Sequence, residues 1–162
     1  MSDLLTRMPA PYEPKRENRW VLRFPSELGI NEWWAVETKR PSIKQNIVPI
    51  PFINTKTYVV GQFEWDAMDI KFRDVIGPST SQAIMEWVRL HSESVTGRQG
   101  YASGYQKDLE LEMLDPTGVA VEKWKLEQVT VGNVDFGSLN YDSDALVTIS
   151  MSIQPSRCVL LY

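Results

Sequence analysis

Few residues of this 162-residue chain could carry out catalysis, since it has one histidine, His91, and one cysteine, Cys158. A Ser-His-Asp triad would have to use His91, yet no GxSxG turn presents a serine nucleophile. A structural or catalytic zinc site needs at least three protein ligands, and one histidine with one distant cysteine does not build a standard set. We therefore expect no catalytic, cofactor-binding or metal-binding residue.

Two further patterns allow a chemical interpretation but fit a structural one better. Glu110 and Glu112 stand two residues apart on one strand face, whereas two carboxylates that hydrolyse a glycoside must flank the bond. An acidic stripe on a strand fits that spacing. Gly97, Gly100 and Gly104 do not match the GxxxxGK[ST] spacing of a phosphate-binding loop, and they follow a predicted helix. We interpret them as a flexible connection.

Composition and charge describe an ordinary globular chain with an acidic balance. The length predicts a single domain over residues 18–162, large enough to bury a sizeable core. The formal net charge of -4 argues against a surface that grips phosphates, because such a surface is basic. The single cysteine excludes an intrachain disulfide. We expect neither a signal peptide nor a transmembrane helix, because no apolar run of the necessary length occurs.

Apolar residues that alternate with polar ones predict a mainly β protein. The pattern recurs around Trp20, at 67–75 and at 147–153. Another strand is predicted from Glu32 to Lys39, and one of its two adjacent tryptophans must point away from the core. The predicted fold is an antiparallel β-sandwich or barrel with one α-helix, an extended N-terminal arm and a long inter-strand loop.

The single predicted helix has a clear beginning and one apolar side. Ser79 and Gln82 form a capping-box pattern, which predicts a helix from Thr80 to about Ser92. Ile84, Trp87, Val88 and His91 fall on one stripe, which indicates that this helix lies on a sheet or plugs a barrel. His91 is therefore interpreted as a packed histidine.

Two proline-rich segments depart from regular structure. Residues 1–17 contain Pro9, Pro11 and Pro14 and are expected to be extended, either as a disordered tail or as an arm ordered by a neighbouring subunit. Residues 40–60 combine three prolines with many apolar side chains, which forbids a central strand. This long apolar loop either folds over its own core or docks on another subunit.

The strand from Lys107 to Leu114 alternates most sharply. Its apolar side chains share one face, and Asp108, Glu110 and Glu112 share the other. After the DPTG turn, the apolar phase shifts near Lys123 and again near Gln128. Such shifts predict bulges or a strand that bends between two sheets.

Several short segments follow one another along the chain: Phe72–Asp74 (FRD), Trp87, Gly100-Tyr101, Leu114–Gly118 (LDPTG), Trp124 and Gly137–Ser143 (GSLNYDS). In this order and spacing they resemble the tail tube proteins of contractile-tailed bacteriophages, a family related to pyocin and type VI secretion tube proteins. The resemblance runs from about Asn18 to the end of the chain. In one place the chain departs from the family, which often has a proline where this chain has Val131-Gly132-Asn133.

The resemblance implies a structural subunit of a virion tail, assembled in the host cytoplasm, whose six-membered rings stack into a tube. DNA would pass through without specific binding, and tail sheath, baseplate and tail terminator proteins would be partners. Contacts between rings would come from Ile47, Ile50, Phe52 and Ile53. We expect Asp108, Glu110 and Glu112 to line the lumen, where an acidic wall repels DNA.

Other functions remain open at the level of sequence. Within the same kind of assembly, the chain could be a baseplate tube initiator or a type VI secretion-like tube subunit. A carbohydrate-binding β-sandwich that uses Trp33 or Trp65 is the alternative from a different class, and a small hydrolase is a third. Glycan binding by an isolated monomer would favour the carbohydrate-binding module.

Overall fold

The computed structural model describes residues 7–162. The strands are β1 (Trp20–Arg23), β2 (Ala35–Glu37), β3 (Ile43–Phe52), β4 (Thr55–Trp65), β5 (Met68–Arg73), β6 (Lys107–Leu114), β7 (Ala120–Asp135), β8 (Thr148–Gln154) and β9 (Arg157–Leu160). The helices are α1 (Thr80–His91) and the short α2 (Ala102–Tyr105), with 3-10 turns at Ser26–Leu28 and Glu32–Trp34.

Seven strands form one curled antiparallel sheet that resembles half of a barrel. The strand order is β1-β6-β7-β8-β5-β2, and β9 pairs with β7 beside this path. Within the described residues, β3 and β4 pair only with each other. The predicted mainly β fold with one substantial helix is confirmed.

β7 curls the sheet because it belongs to both of its halves. Its first part pairs with β6 and β9, and its last part pairs with β8. At the corner, Gln128 has a φ of 51°, and its N–H donates a hydrogen bond to Asp108 Oδ1 at 3.0 Å. A second register shift leaves Val121 without a partner on β6. These irregularities confirm the predicted bend of the long strand.

The core lies on the concave face of the curled sheet. β5 alternates buried and exposed residues along its whole length, and β8 does so in register with it, so that Phe72 lies opposite Ile149. The largest fully buried side chains come from both halves of the sheet and from α1; they are Trp87, Phe72, Leu22, Met68, Ile70, Ile84, Leu109, Leu111, Leu126, Ile149, Met151 and Ile153. Burial of this apolar surface is the main stabilising term.

α1 covers the concave face and is fixed at its first turn. The Ser79 side chain accepts a hydrogen bond from Gln82 N at 3.4 Å, which confirms the predicted N-cap. Buried Thr80 ties the helix to the end of β5, because its hydroxyl donates to Arg73 O and accepts from Val75 N, both at 3.1 Å. Trp87 packs edge-on against Phe24 inside the core.

The segment at Glu32–Lys39 is less regular than predicted. Its first residues form a 3-10 turn, and only Ala35–Glu37 pair with β5. Asn31 explains the turn, because its side chain accepts a hydrogen bond from Trp33 N at 3.0 Å and so caps the turn. The two tryptophans separate as expected, with Trp34 buried and Trp33 exposed.

The segment predicted as a long apolar loop is a β-hairpin, formed by β3 and β4 and called the hairpin below. The prediction of a loop was wrong because the prolines exclude only a central strand, whereas β3 has a partner on one edge alone. Pro49 and Pro51 lie in β3, opposite Tyr58 and Lys56. A strand with one partner tolerates proline where the absent N–H would face away from that partner.

The described part of the N-terminal arm, residues 7–17, is exposed and contains no helix or strand. Two ion pairs join it to the body of the protein, one between Lys15 Nζ and Glu122 Oε1 and one between Glu13 Oε1 and Arg19 Nη1, both at 3.3 Å. Residues 1–6, which the predicted arm also includes, lie outside the described residues. Among residues 7–162, no helix is long and apolar enough to cross a membrane.

Candidate assembly surfaces

The hairpin exposes apolar side chains on both of its faces. Every residue of β3 is exposed, as is every residue of β4 except Trp65. Residues directly opposite each other share a face, so one face carries Ile47, Pro49, Tyr58 and Val60, and the other carries Val48, Ile50, Phe52 and Val59. An isolated hairpin is only marginally stable in water, and no part of the chain that the structure describes covers either face of this one. Both faces are therefore candidates for contact with another molecule.

The two long edges of the hairpin differ in their ability to pair with another strand. Residues two apart in a strand direct their backbone N–H groups to the same edge. Pro49 and Pro51 stand two apart in β3 and thus remove donors from a single edge. β4 contains no proline between Thr55 and Trp65. The free edge of β4 is therefore the one suited to accept a partner strand.

The hairpin joins the body at a closed base. Asp66 N donates to Ser42 O at 3.0 Å, and the Ser42 hydroxyl donates to Asp66 Oδ2 at 3.2 Å. The half-buried ring of Trp65 meets Trp124 edge-on, with ring centroids 6.3 Å apart. Gln154 Nε2 also donates to Trp65 O at 2.6 Å. These contacts fix the direction of the hairpin at its base and leave its distal part free.

Asp108, Glu110 and Glu112 lie together on the outer face of β6, as the alternation predicts, but lysines that the sequence analysis did not include lie beside them. Lys125 is opposite Glu110, and Lys123 is opposite Glu112. Lys123 Nζ lies 3.3 Å from Glu110 Oε2. We call this outer surface of β1, β6, β7 and β9 the charged face. On this face, side chains of opposite charge lie next to each other on neighbouring strands. The acidic residues are Asp108, Glu110 and Glu112 on β6 and Glu127 on β7, and the basic residues are Arg23 on β1, Lys123 and Lys125 on β7 and Arg157 on β9.

The acidic and basic side chains of the charged face form ion pairs that bury a carboxylate and shift a pKa. Glu112 retains only 8% exposure, and its carboxylate lies 3.3 Å from Arg23 Nε and 3.7 Å from Lys123 Nζ. The hydrogen bond and the negative charge of Glu110 raise the pKa of Lys123, with a smaller contribution from Glu112. The face as a whole carries as many basic as acidic groups. It is a ladder of compensated charges rather than a purely acidic stripe.

His91 is structural. Its Nε2 accepts a hydrogen bond from Val131 N at 3.1 Å, so Nδ1 carries the proton and donates to Trp87 O at 3.0 Å. The ring also stacks on Tyr105, with centroids 4.3 Å apart. Both nitrogens are engaged, and the histidine fastens α1 to the corner of the sheet. The interpretation of His91 as a packed residue is confirmed.

Cys158, Trp33 and Trp65 do not come together as a binding or catalytic site. Burial raises the pKa of the Cys158 thiol to about 11, so it stays protonated and unreactive at neutral pH. Within residues 7–162, no group of three or more histidines, cysteines or carboxylates could hold a metal ion. Trp33 is 83% exposed, whereas Trp65 packs against Trp124. Of the two tryptophans named for sugar binding, Trp33 alone presents an exposed ring.

A further exposed apolar surface was missed by the sequence analysis. Residues 136–147, called the link below, connect β7 to β8 and expose Leu139, Tyr141 and Leu146. The link borders a cleft of about 860 Å³ against Ser150 of β8. The GSLNYDS segment lies within this link. Its apolar side chains, separated by turn residues, are the signal that could have identified a surface.

The fold is shared with proteins of contractile injection systems. A structure described as the sheath/tube terminator of an extracellular contractile injection system superposes with a TM-score of 0.72 and 11% identity, over 94% of this chain and 100% of that one. A structure described as the baseplate of the anti-feeding prophage gives 0.66 and 12%, over 95% and 97%. A type six secretion system protein gives 0.52 and 10%, over 88% and 82%.

These similarities define a tube-type fold at low sequence identity. No protein-family model matches the sequence, and no curated protein matches it either. The chain therefore has the architecture found in tube-related components of contractile injection systems, and nearly the whole of it takes part in that architecture.

Proposed function

We propose that this chain is the repeating subunit of the inner tube of a contractile phage tail, in which six-membered rings stack into a conduit for DNA. The observation that carries the proposal is the hairpin, whose two apolar faces have no partner among residues 7–162. The tube-type fold supports it, because proteins of this fold occur in structures described as a sheath/tube terminator and a baseplate. Sheath, baseplate and terminator proteins are the partners that this role requires.

Contacts between rings are assigned to the distal part of the hairpin. Ile47 lies on one face, Ile50 and Phe52 lie on the other, and Ile53 follows in the turn. Burying each of these side chains on a neighbouring subunit would contribute roughly 1.5–3 kcal/mol. Because apolar residues occupy both faces, the hairpin is suited to insertion between two surfaces rather than to lying on one.

Passage of DNA through the tube calls for a lumen that does not grip phosphate. We retain the proposal that Asp108, Glu110 and Glu112 face the lumen. The compensated charges of that face weaken the repulsion first expected from an acidic stripe, but they also leave no net basic surface to hold a polyanion. In a neutral lumen DNA passes because no phosphate contact is favourable enough to hold it.

The test compares two variants, each of which replaces three exposed apolar residues by serine. Ile47, Ile50 and Phe52 are replaced by serine in one protein, and the exposed Ile76, Val95 and Val119, outside the hairpin, are replaced by serine in the other. Sedimentation and negative-stain electron microscopy at high concentration should show rings or tubes for the wild type and for the second variant. The first variant should remain a folded, unassembled protein.

Two results would contradict the proposal. A wild type that stays monomeric at all concentrations, also in the presence of baseplate components, would exclude a tube subunit. Tubes of normal length from the hairpin variant would show that the hairpin does not join rings.

A further inference from the structure

The link presents a formed surface on the side of the body. The Gly137 φ is 92°, and a Cβ at this position would lie 2.6 Å from Thr148 O, so the chain passes β8 at a distance that only glycine permits. Asp135 Oδ1 accepts a hydrogen bond from Gly137 N at 2.9 Å, and Asn140 Oδ1 accepts one from Asp142 N at 3.0 Å. These turns hold the apolar side chains of the link beside the cleft.

The link and the hairpin have complementary chemistry. Between Lys125 and Arg157 the chain contains no lysine or arginine, and the exposed Asp142 and Asp144 give the link a negative charge. Between Gln45 and Phe63 the only charged residue is Lys56. Each surface thus combines exposed apolar side chains with charge of one sign, and the signs are opposite.

The two surfaces do not cover each other within one molecule. Phe52 and Ile53 at the end of the hairpin are exposed, and so are Leu139 and Tyr141 of the link. Because the link and the hairpin lie on separate surfaces of one chain, each copy can bind one neighbour through its link and another neighbour through its hairpin. Such a head-to-tail contact is called heterologous. A second copy of this chain is therefore the partner that fits the link.

We infer that the link and its cleft receive the end of the hairpin from a second copy of the chain. Phe52 and Ile53 then contact Leu139 and Tyr141, and Lys56 lies beside Asp142 and Asp144. Lys56 is opposite Pro51, next to the turn, and so lies at the end of the hairpin that would enter the cleft. The inference rests on the proposed function, since it names the receiving surface for the hairpin of a tube subunit.

Charge exchange tests the pairing. Lys56→Glu alone, and Asp142→Lys with Asp144→Lys, should each raise the concentration needed for tube assembly by about tenfold or more, because each places like charges in contact. The protein with all three substitutions should assemble at a concentration within about threefold of the wild type. Arg98→Glu, an equal charge change on an exposed loop, should neither impair assembly nor rescue the Asp142→Lys, Asp144→Lys protein.

A covalent test does not depend on charge. The double variant Ile53→Cys, Tyr141→Cys should form disulfide-linked multimers when assembled tubes are treated with an oxidant, whereas Ile53→Cys with Val95→Cys should not. Assembly that is insensitive to Lys56→Glu, or absence of both rescue and cross-linking in proteins that form tubes, would overturn the inference alone. A wild type that never assembles would contradict the proposed function as well.

Discussion

The body and the hairpin are both antiparallel β-structures, yet they distribute apolar residues in different ways. In the body, β5 directs Phe72 into the core and its charged residues outward. In the hairpin, Phe52 is 69% exposed and apolar residues occupy both faces. The body is stable because it has an interior, whereas the hairpin has no interior within residues 7–162. The contrast separates residues that maintain the fold from residues available for assembly.

Excising the hairpin is the most drastic test of this separation. Because Ile43 and Trp65 are directly opposite, residues 44–64 can be replaced by a two-residue Asn-Gly turn. We expect complete loss of tube assembly, measured by sedimentation. The free energy of unfolding of the body should change by less than about 1 kcal/mol, since the removed residues bury little surface. A large loss of stability would show that the hairpin supports the core.

A pair of identical substitutions compares the regions residue by residue. Phe72→Ala removes a fully buried ring and should lower the free energy of unfolding by about 3–5 kcal/mol. Phe52→Ala should change it by less than about 0.5 kcal/mol, because that ring is exposed in the single chain. Urea denaturation of unassembled protein measures both. Equal effects of the two substitutions would remove the distinction between body and hairpin.

Charge reversal probes the outer surfaces of the two regions. Glu110→Lys on the charged face places a third lysine beside Lys123 and Lys125 and should cost about 0.5–1 kcal/mol. Glu64→Lys, opposite Lys44 in the hairpin, is the matched control and should leave the body unaffected. The urea midpoint at low and high salt separates the two, because the cost of Glu110→Lys should shrink as salt screens the charges.

The smallest effect concerns the turns. The hydrogen bond from the Thr117 hydroxyl lowers the pKa of Asp115, and those from the backbone N–H groups of Val119, Thr117 and Gly118 add to it. A carboxyl whose folded pKa is depressed stabilises the fold above its unfolded pKa, near 3.8, and this contribution is lost as the pH falls through the folded value. The destabilisation caused by Asp115→Ala should therefore be present at pH 7 and shrink as the pH falls below 3.8 and through the lower folded pKa.

The corresponding turn of the hairpin serves as the control. Its side-chain hydrogen bond runs from the Thr55 hydroxyl to Phe52 O at 3.1 Å and involves no titratable group. The effect of Thr55→Ala on the unassembled protein should not vary with pH over the same range. Thermal unfolding between pH 2 and 7 measures both variants, and a pH-independent deficit for Asp115→Ala would contradict the assigned role of its carboxylate.

Much of the body could be predicted because its signals are local. The alternation of apolar and polar residues predicted β5 and β6, and the capping pattern at Ser79 predicted the start of α1. The phase shift near Gln128 indicated the corner of β7, since a bulge displaces the pattern of buried residues along one strand. The hairpin was missed for a related reason. Exposure on both faces abolishes alternation, and Pro49 and Pro51 argue against a strand unless its unpaired edge is known.

The charged face could not be predicted in full because it depends on pairing between strands. Asp108, Glu110 and Glu112 are visible in one strand, but their neutralising partners Lys123 and Lys125 come from the next strand, across a turn and a bulge. Glu122 is buried beside Lys15 and Arg40, which come from distant parts of the chain. Register decides such contacts, and a one-residue shift would place each lysine on the opposite face.

The pairing of β1 with β6 also determines the order in which a newly made chain can fold. Trp20 lies opposite Met113, so β1 has no partner until synthesis has passed the helix and the whole of β6. β3 and β4 are joined by a tight turn and can pair within about 1–10 μs. During synthesis, the apolar side chains of the hairpin are therefore exposed while the body is still incomplete. This is a period in which chaperone binding would protect the chain against aggregation.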